Sequence, residues 1–236
     1  MKQIRKYTLS LSFFILLFVV SGCGGTNSGV VVTNPQESGS VFANTQCDMV
    51  VDKIYYEVCY SYSYKGARFV AYTLDGENVN NPNIEERPYF YEEELLPLAY
   101  RSRYDDYTGS GYDRGHLASD ASFDWDEDAL KSVYSMINIV PQNPEVNRYS
   151  WIDTEYEERA RAVEFGSVDV VVALSYGTNP MQIGEDEIAV PEVMYKKISN
   201  ETAHYLACYK YENIPYDVES DSLQQHQIAC DFFPFY

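Results

Sequence analysis

The segment that most constrains the fold is 168–176, VDVVVALSY, a nearly unbroken apolar run. A run this short and this apolar predicts the central strand of a sheet. Other segments predict its neighbours. Residues 55–62 (YYEVCYSY) and 67–74 (ARFVAYTL) have strand composition and are joined by Lys65-Gly66, which predicts a β-hairpin. Segments 193–198 and 204–211 predict two more strands, 87–91 a short one, and 136–140 another ended by Pro141. Three helices are predicted: one capped by Asp124 or Asp126 and running to about Tyr134, a charged amphipathic one over 146–165 that stops before Gly166, and a closing one over 219–229. Strand hairpins with helices inserted between them define an α+β domain. Twenty-three Tyr against two Trp agree with a sheet-rich chain, and no internal repeat suggests a solenoid.

The N-terminus reads as an export signal. Lys2, Arg5 and Lys6 precede an apolar stretch of 12 residues, 9–20, broken by two serines and too short to span a bilayer as a mature helix. It ends Val20-Ser21-Gly22-Cys23, which resembles the bacterial lipobox, so residues 1–22 are expected to be removed and Cys23 lipidated. An ordinary cleaved signal with Cys23 as a bystander is the alternative. Gly24 rather than Asp after the cysteine fits delivery to an outer membrane, facing the periplasm or the surface. Residues 23–45, rich in Gly, Ser, Thr, Asn and Val, read as a flexible tether, and 46–236 as the folded domain. Four cysteines remain: Cys47, Cys59, Cys208 and Cys230. An even count in an exported chain predicts two disulfides. Of three possible connectivities, Cys47–Cys59 and Cys208–Cys230 are favoured because each pair is close in sequence. A zinc site is disfavoured, since neither CxxC spacing nor a suitably placed His is present.

Four groups of chemically capable residues fall within 50 positions: Asp113-Arg114-Gly115-His116, Asn138, Asn147 with Trp151, and Glu155 with Arg159. His116 is one of three histidines, and a neutral imidazole near pH 7 is a candidate general base. Arg114 has a fork suited to phosphate oxygens, and Gly115 permits a close backbone turn. On the helix from about 146, Asn147 and Trp151 fall near one face, with Glu155 ~80° from Asn147 and Arg159 ~40° further round. An Asn amide oxygen can bind a hard cation such as Mg²⁺ if an anionic group such as Glu155 holds the cation's waters. Each residue also has a plain structural reading: a hydrogen-bonded His, a core Trp, an exposed i,i+4 Glu155–Arg159 pair.

Together these residues resemble the DNA/RNA non-specific endonucleases of the ββα-metal (His-Me finger) superfamily. The segment 112–118 (YDRGHLA) resembles that family's DRGH signature, 138–142 (NIVPQ) its Asn-Ile-x-Pro-Gln segment, and Asn147-x3-Trp151-x3-Glu155-x3-Arg159 its metal-binding helix. The likeness runs from about Tyr55 to Phe233. It implies a ββα-metal core with a mainly antiparallel sheet and inserted helices, and a Mg²⁺-dependent (or Mn²⁺-dependent) endonuclease acting on DNA, RNA or both. It implies that His116 activates water, Asn147 binds the metal, Glu155 orients metal-bound waters, and Asn138 positions His116 or the phosphate. Arg114 and Arg159 would contact phosphate oxygens, and Arg87 lies roughly where the family has another phosphate-binding arginine. No obligate protein partner is implied. Membrane attachment would come from the lipid alone.

Three departures stand out. Ile137 replaces a common Ser and Ser119 a frequent Pro, neither at an inferred catalytic position. The third is charge: 17 Lys+Arg against 36 Asp+Glu give −19, and loss of residues 1–22 leaves 14 against 36, or −22. Residues 101–161 carry seven basic but 13 acidic side chains, so a basic coat for nucleic acid is absent even locally. This predicts an enzyme suited to a saline or divalent-rich medium, or one whose acidic groups lie on its far face. Two other readings remain: a catalytically silent nuclease-fold lipoprotein acting as a binding or structural module, and a phosphodiesterase for a smaller substrate.

Overall fold

The structure is a computed structural model, and it describes residues 31–33, 40–42, 45–81 and 83–234. The signal sequence, Cys23 and most of the tether lie outside the described residues. Within the stretch read as tether, β1 (Val31–Thr33) pairs antiparallel with β2 (Met49–Asp52). β3 (Glu57–Ser61) and β4 (Gly66–Asp75) form the hairpin expected there. Asp75 then caps α1 (Gly76–Val79), its carboxylate accepting from the N–H groups of Glu77 and Asn78.

The next elements build the region where the candidate residues lie: β5 (Asp113–His116), α2 (Glu127–Val133), β6 (Ile139–Gln142), a π-helical turn over Val146–Ser150, and α3 (Ile152–Phe165). α2 starts as expected, with Asp126 accepting from Asp128 and Ala129 N–H. α3 ends at Gly166, whose φ of +84° is the left-handed conformation that stops a helix. β7 (Ser167–Ser175) follows, then the small hairpin β8 (Gln182–Ile183) and β9 (Ile188–Ala189), and β10 (Val193–Asn200), β11 (Tyr205–Glu212) and β12 (Gln227–Ile228).

Eight strands form one antiparallel sheet in the order β1-β2-β3-β4-β7-β10-β11-β12. β7 sits between β4 and β10, as its apolar run requires. The main core lies on the sheet face covered by α3 and the segment from β5 to β6. Val70, Val170, Val172, Met194 and Ile198 meet Leu117, Leu130, Val140 and Trp151 there. A smaller core on the other face contains both disulfides, Cys47–Cys59 and Cys208–Cys230, with Phe42, Phe69 and Phe233.

Three expectations are corrected. Residues 87–91 make no strand. Only Tyr91 bridges Ser135, because Arg87 is tied to the loop at Asp120 and Asp124. Residues 136–138 form a 3₁₀ turn before β6 begins. The closing segment contains a single 3₁₀ turn, Leu223–His226, rather than a helix, held by the Asp221–His226 contact and by β12 pairing.

Candidate active site

β5 and β6 form a separate two-stranded hairpin in which Asp113 faces Gln142 and His116 faces Ile139. Gly115 has no room for a side chain: a Cβ there would meet the Gln142 side chain at 2.0 Å. Close packing therefore explains this glycine, rather than the turn expected of it. At the end of β5 the His116 ring lies against Phe90 and Tyr134, with ring centroids at 5.5 and 4.9 Å. Its Nε2 is buried and has no hydrogen-bond partner among the described residues. Burial lowers the imidazole pKa to about 4, against an upward pull from Asp120 and with a further push down from Arg87. The ring is therefore neutral at pH 7 and able to accept a proton.

Asn138 is fully buried just before β6. Its Nδ2 donates to the carbonyls of Ala118 and Val133, each at 2.9 Å, and its Oδ1 accepts from Ala118 N–H at 2.9 Å. The Asn138 carbonyl accepts from Leu117 N–H. With both amide hydrogens and one oxygen lone pair engaged, Asn138 fixes the chain immediately after His116. These bonds tie the segment that follows His116 to the residue that precedes β6.

The helical segment is tied to β5 at Asp113 and to the turn that follows β5 at Ser119. At one end, Asn147 Nδ2 donates to Asp113 Oδ2 at 3.1 Å, and Asn147 Oδ1 has no partner among the described residues. Asp113 is gripped in turn by both arms of Arg148, at 2.7 and 2.8 Å. Burial raises the Asp113 pKa, but the hydrogen bonds from Arg148 and Asn147 outweigh it and hold the carboxyl below its ordinary value. At the other end, Ser119 donates to Glu155 Oε2 at 2.9 Å. His116 lies between the two pins, three strand residues or ~10 Å along from Asp113.

The π turn sets the helix phase. Trp151 N–H donates to the Val146 carbonyl, five residues back, at 2.8 Å. A π turn advances ~80° per residue against ~100° in an α-helix, so the four steps from Asn147 to Trp151 recover most of the ~80° offset expected for Glu155. Asn147 and Glu155 are thereby brought nearly into line. Burial pushes the Glu155 carboxyl up to about 7, while Lys196 pulls it down, Glu158 raises it, and Ser119 and Arg159 pull it down.

The arginines differ in availability. Arg114 lies 3.6 Å over the Tyr104 ring and donates to the Tyr104 carbonyl and Thr108 Oγ1, but is paired with no carboxylate among the described residues. Arg159 reaches the hydroxyls of Ser119 and Ser122 at 3.5 and 3.4 Å and likewise has no carboxylate partner there. Arg87, by contrast, is paired with Asp120 at 3.1 Å and Asp124 at 2.9 Å, and its charge lowers the His116 pKa.

The sequence reading missed Asp113 as the anchor of Asn147, Arg148 as its clamp, and Ser119, Ser122, Asp120 and Tyr134 around the site. Asp113 was visible within the DRGH segment. The others depend on contacts that sequence spacing does not announce. Among the described residues no group of three or more His, Cys, Asp or Glu side chains could hold a metal ion. The donor set instead fits a cation bound by one neutral amide oxygen and mostly by water, with Glu155 alongside.

An antiparallel strand pair ending in a half-buried histidine, joined through Asp113 to a helical turn that carries an asparagine amide, is the ββα-metal nuclease arrangement. Residues 35–233 match the profile of the DNA/RNA non-specific endonucleases, and the chain belongs to that family. It is 28% identical over 175 residues to the mitochondrial endonuclease G of Bos taurus and of Homo sapiens. Each alignment covers 69% of this chain but 58% and 59% of the relative, so the chain spans less than two thirds of their length. A nuclease of Nostoc sp. is 33% identical over 101 residues, 42% of this chain and 36% of that protein. The fold matches a crystal structure of an EndoG/EndoGI complex, described as the mechanism of EndoG inhibition. The TM-score is 0.71 at 24% identity, covering 77% of this chain and 80% of that one.

Proposed function

We propose that this protein is a divalent-metal-dependent endonuclease that hydrolyses phosphodiester bonds of DNA, RNA or both without sequence choice. The observation that carries the reading is a neutral His116 with an unpartnered ring nitrogen, on a strand pinned to a helix whose Asn147 amide oxygen is free. His116 takes the proton of the attacking water. Arg114 and Arg159, free of carboxylates, neutralise the phosphate oxygens. Asn147 would hold Mg²⁺ or Mn²⁺, with Glu155 holding its waters, and the cation would supply Lewis-acid stabilisation of the phosphate and the leaving oxygen. Contacts of this kind engage the backbone rather than base edges, which is why no sequence choice is expected.

The setting belongs to the same proposal. Two disulfides support an oxidising compartment, and the 1–22 signal with Cys23 supports a lipid-tethered enzyme outside the cytoplasm, at an outer membrane. The test is plasmid and RNA cleavage by residues 24–236, with Mg²⁺ and with EDTA. Cleavage that needs the metal and falls by orders of magnitude in His116→Ala is the expected result. Equal nicking by wild type and His116→Ala would remove His116 from its role, and cleavage by neither would leave only a silent nuclease fold.

A further inference from the structure

Ser119 is one of the departures from the family pattern, where a Pro is frequent, and was not expected to touch an inferred catalytic position. The structure places it inside the site. Its side chain is 1% exposed, and its hydroxyl donates to Glu155 Oε2 at 2.9 Å while accepting from Arg159 Nη1 at 3.5 Å. A hydroxyl can do both at once, having one proton and two lone pairs. A proline can do neither.

The neighbouring contacts make this a directed array. Ser122, on the same 3₁₀ turn (Asp120–Ser122), donates to Glu158 Oε1 at 2.8 Å, so its lone pairs are left for Arg159 Nη1 at 3.4 Å. Glu158 cannot swing away. It is fully buried, with Lys196 Nζ at 2.6 Å and Tyr72 OH at 2.9 Å on its other oxygen. The turn itself is held in place, because Asp120 accepts from Tyr134 OH at 3.0 Å and meets Arg87 at 3.1 Å. Ser119 is thus a fixed hydroxyl on a fixed turn, aimed at two side chains of the reaction.

We propose that Ser119 is a positioning residue for the phosphodiester reaction, orienting Glu155 toward the cation and Arg159 toward the phosphate. The inference rests on the endonuclease reading above. It assigns to this chain a hydrogen bond that a proline-bearing site would have to do without.

The backbone makes the test clean. Ser119 has φ −65° and ψ 138°, which proline adopts without strain, and its N–H makes no hydrogen bond among the described residues. Ser119→Pro and Ser119→Ala should therefore fold, with melting temperatures close to wild type. Both are expected to lower kcat about tenfold, to change the KM for DNA less than about twofold, and to weaken Mn²⁺ binding several-fold, read by electron paramagnetic resonance of free Mn²⁺. Ser119→Thr, which keeps the hydroxyl, should stay within about threefold of wild type on both readouts. Folded Ala and Pro variants with wild-type kcat and Mn²⁺ affinity would overturn the proposal, as would a Thr variant no better than Ala. If Pro alone fails to fold, the comparison of Ala with Thr decides. A wild type that cleaves nothing in any metal would instead overturn the endonuclease reading, so the two failures are distinct.

Discussion

At the scale of single residues, the site depends on how little freedom its groups keep. His116 has its charged form disfavoured by burial among Phe90 and Tyr134, which lowers its pKa from 6.5 to about 4. The sign follows directly. In the proposed role the imidazole acts in its deprotonated form, which is present above its pKa, so lowering that pKa extends activity toward acid. The acid limb of kcat/KM should fall near pH 4, well below the ordinary histidine range. A limb at pH 6.5 or above would mean that the free enzyme keeps this ring hydrated. Asn147 is oriented by Asp113, which Arg148 grips on both oxygens. Asp113→Ala should release the Asn147 amide and lower kcat/KM 10- to 100-fold, the usual cost of losing a group that orients a metal ligand. Raising Mg²⁺ should recover part of the loss, and a titration of rate against Mg²⁺ checks it.

Between elements, one buried pair joins the sheet to the catalytic helix. Lys196 on β10 and Glu158 on α3 are both fully buried, 2.6 Å apart, with Lys196 also 4.8 Å from the Trp151 ring. Lys196→Met should destabilise the protein by about 3–5 kcal/mol in urea unfolding, because it leaves a charge buried alone. Adding Glu158→Leu should restore a good part of that loss. This pair also marks where sequence reading stopped. The β3–β4 hairpin, β7, the Asp126 cap and the Gly166 stop were legible, because each is set by local periodicity or by one residue's backbone preference. The DRGH segment and the Asn147-to-Arg159 spacing were legible because their chemistry is contiguous. The π turn was not: one extra residue in a helical ladder leaves no mark in composition, yet it decides whether Asn147 and Glu155 align. Ser119 and Ser122 were not legible either, since their partners on α3 lie more than 30 positions away. The segment 219–229 was expected to be helical, but its C-terminal end is tied to β11, through β12 and the adjacent Cys208–Cys230 bond, and one 3₁₀ turn forms before it.

At the scale of the whole molecule, charge decides how a substrate arrives. The full chain carries −19, and −22 without residues 1–22, while nucleic acid is itself a dense polyanion. A basic nuclease gains from low salt, because long-range attraction steers the encounter, and added salt only weakens it. Here the long-range term has the opposite sign. In the proposed mechanism the favourable contacts are short: Arg114 and Arg159, and a divalent cation that Asn147 would hold. Salt should remove the distant repulsion first, since at 0.15 M charges beyond ~8 Å are largely screened. Initial rates on plasmid at fixed Mg²⁺ should therefore rise as NaCl increases from near zero to about 0.15 M, and decline only at higher concentrations where the local arginine contacts are screened as well. The same argument predicts that this rise shrinks when Mg²⁺ is already high, because the divalent ion screens the same repulsion. A rate that falls steadily from the lowest salt upward would show that the acidic groups lie away from the path of the substrate, and that the arginines govern its approach.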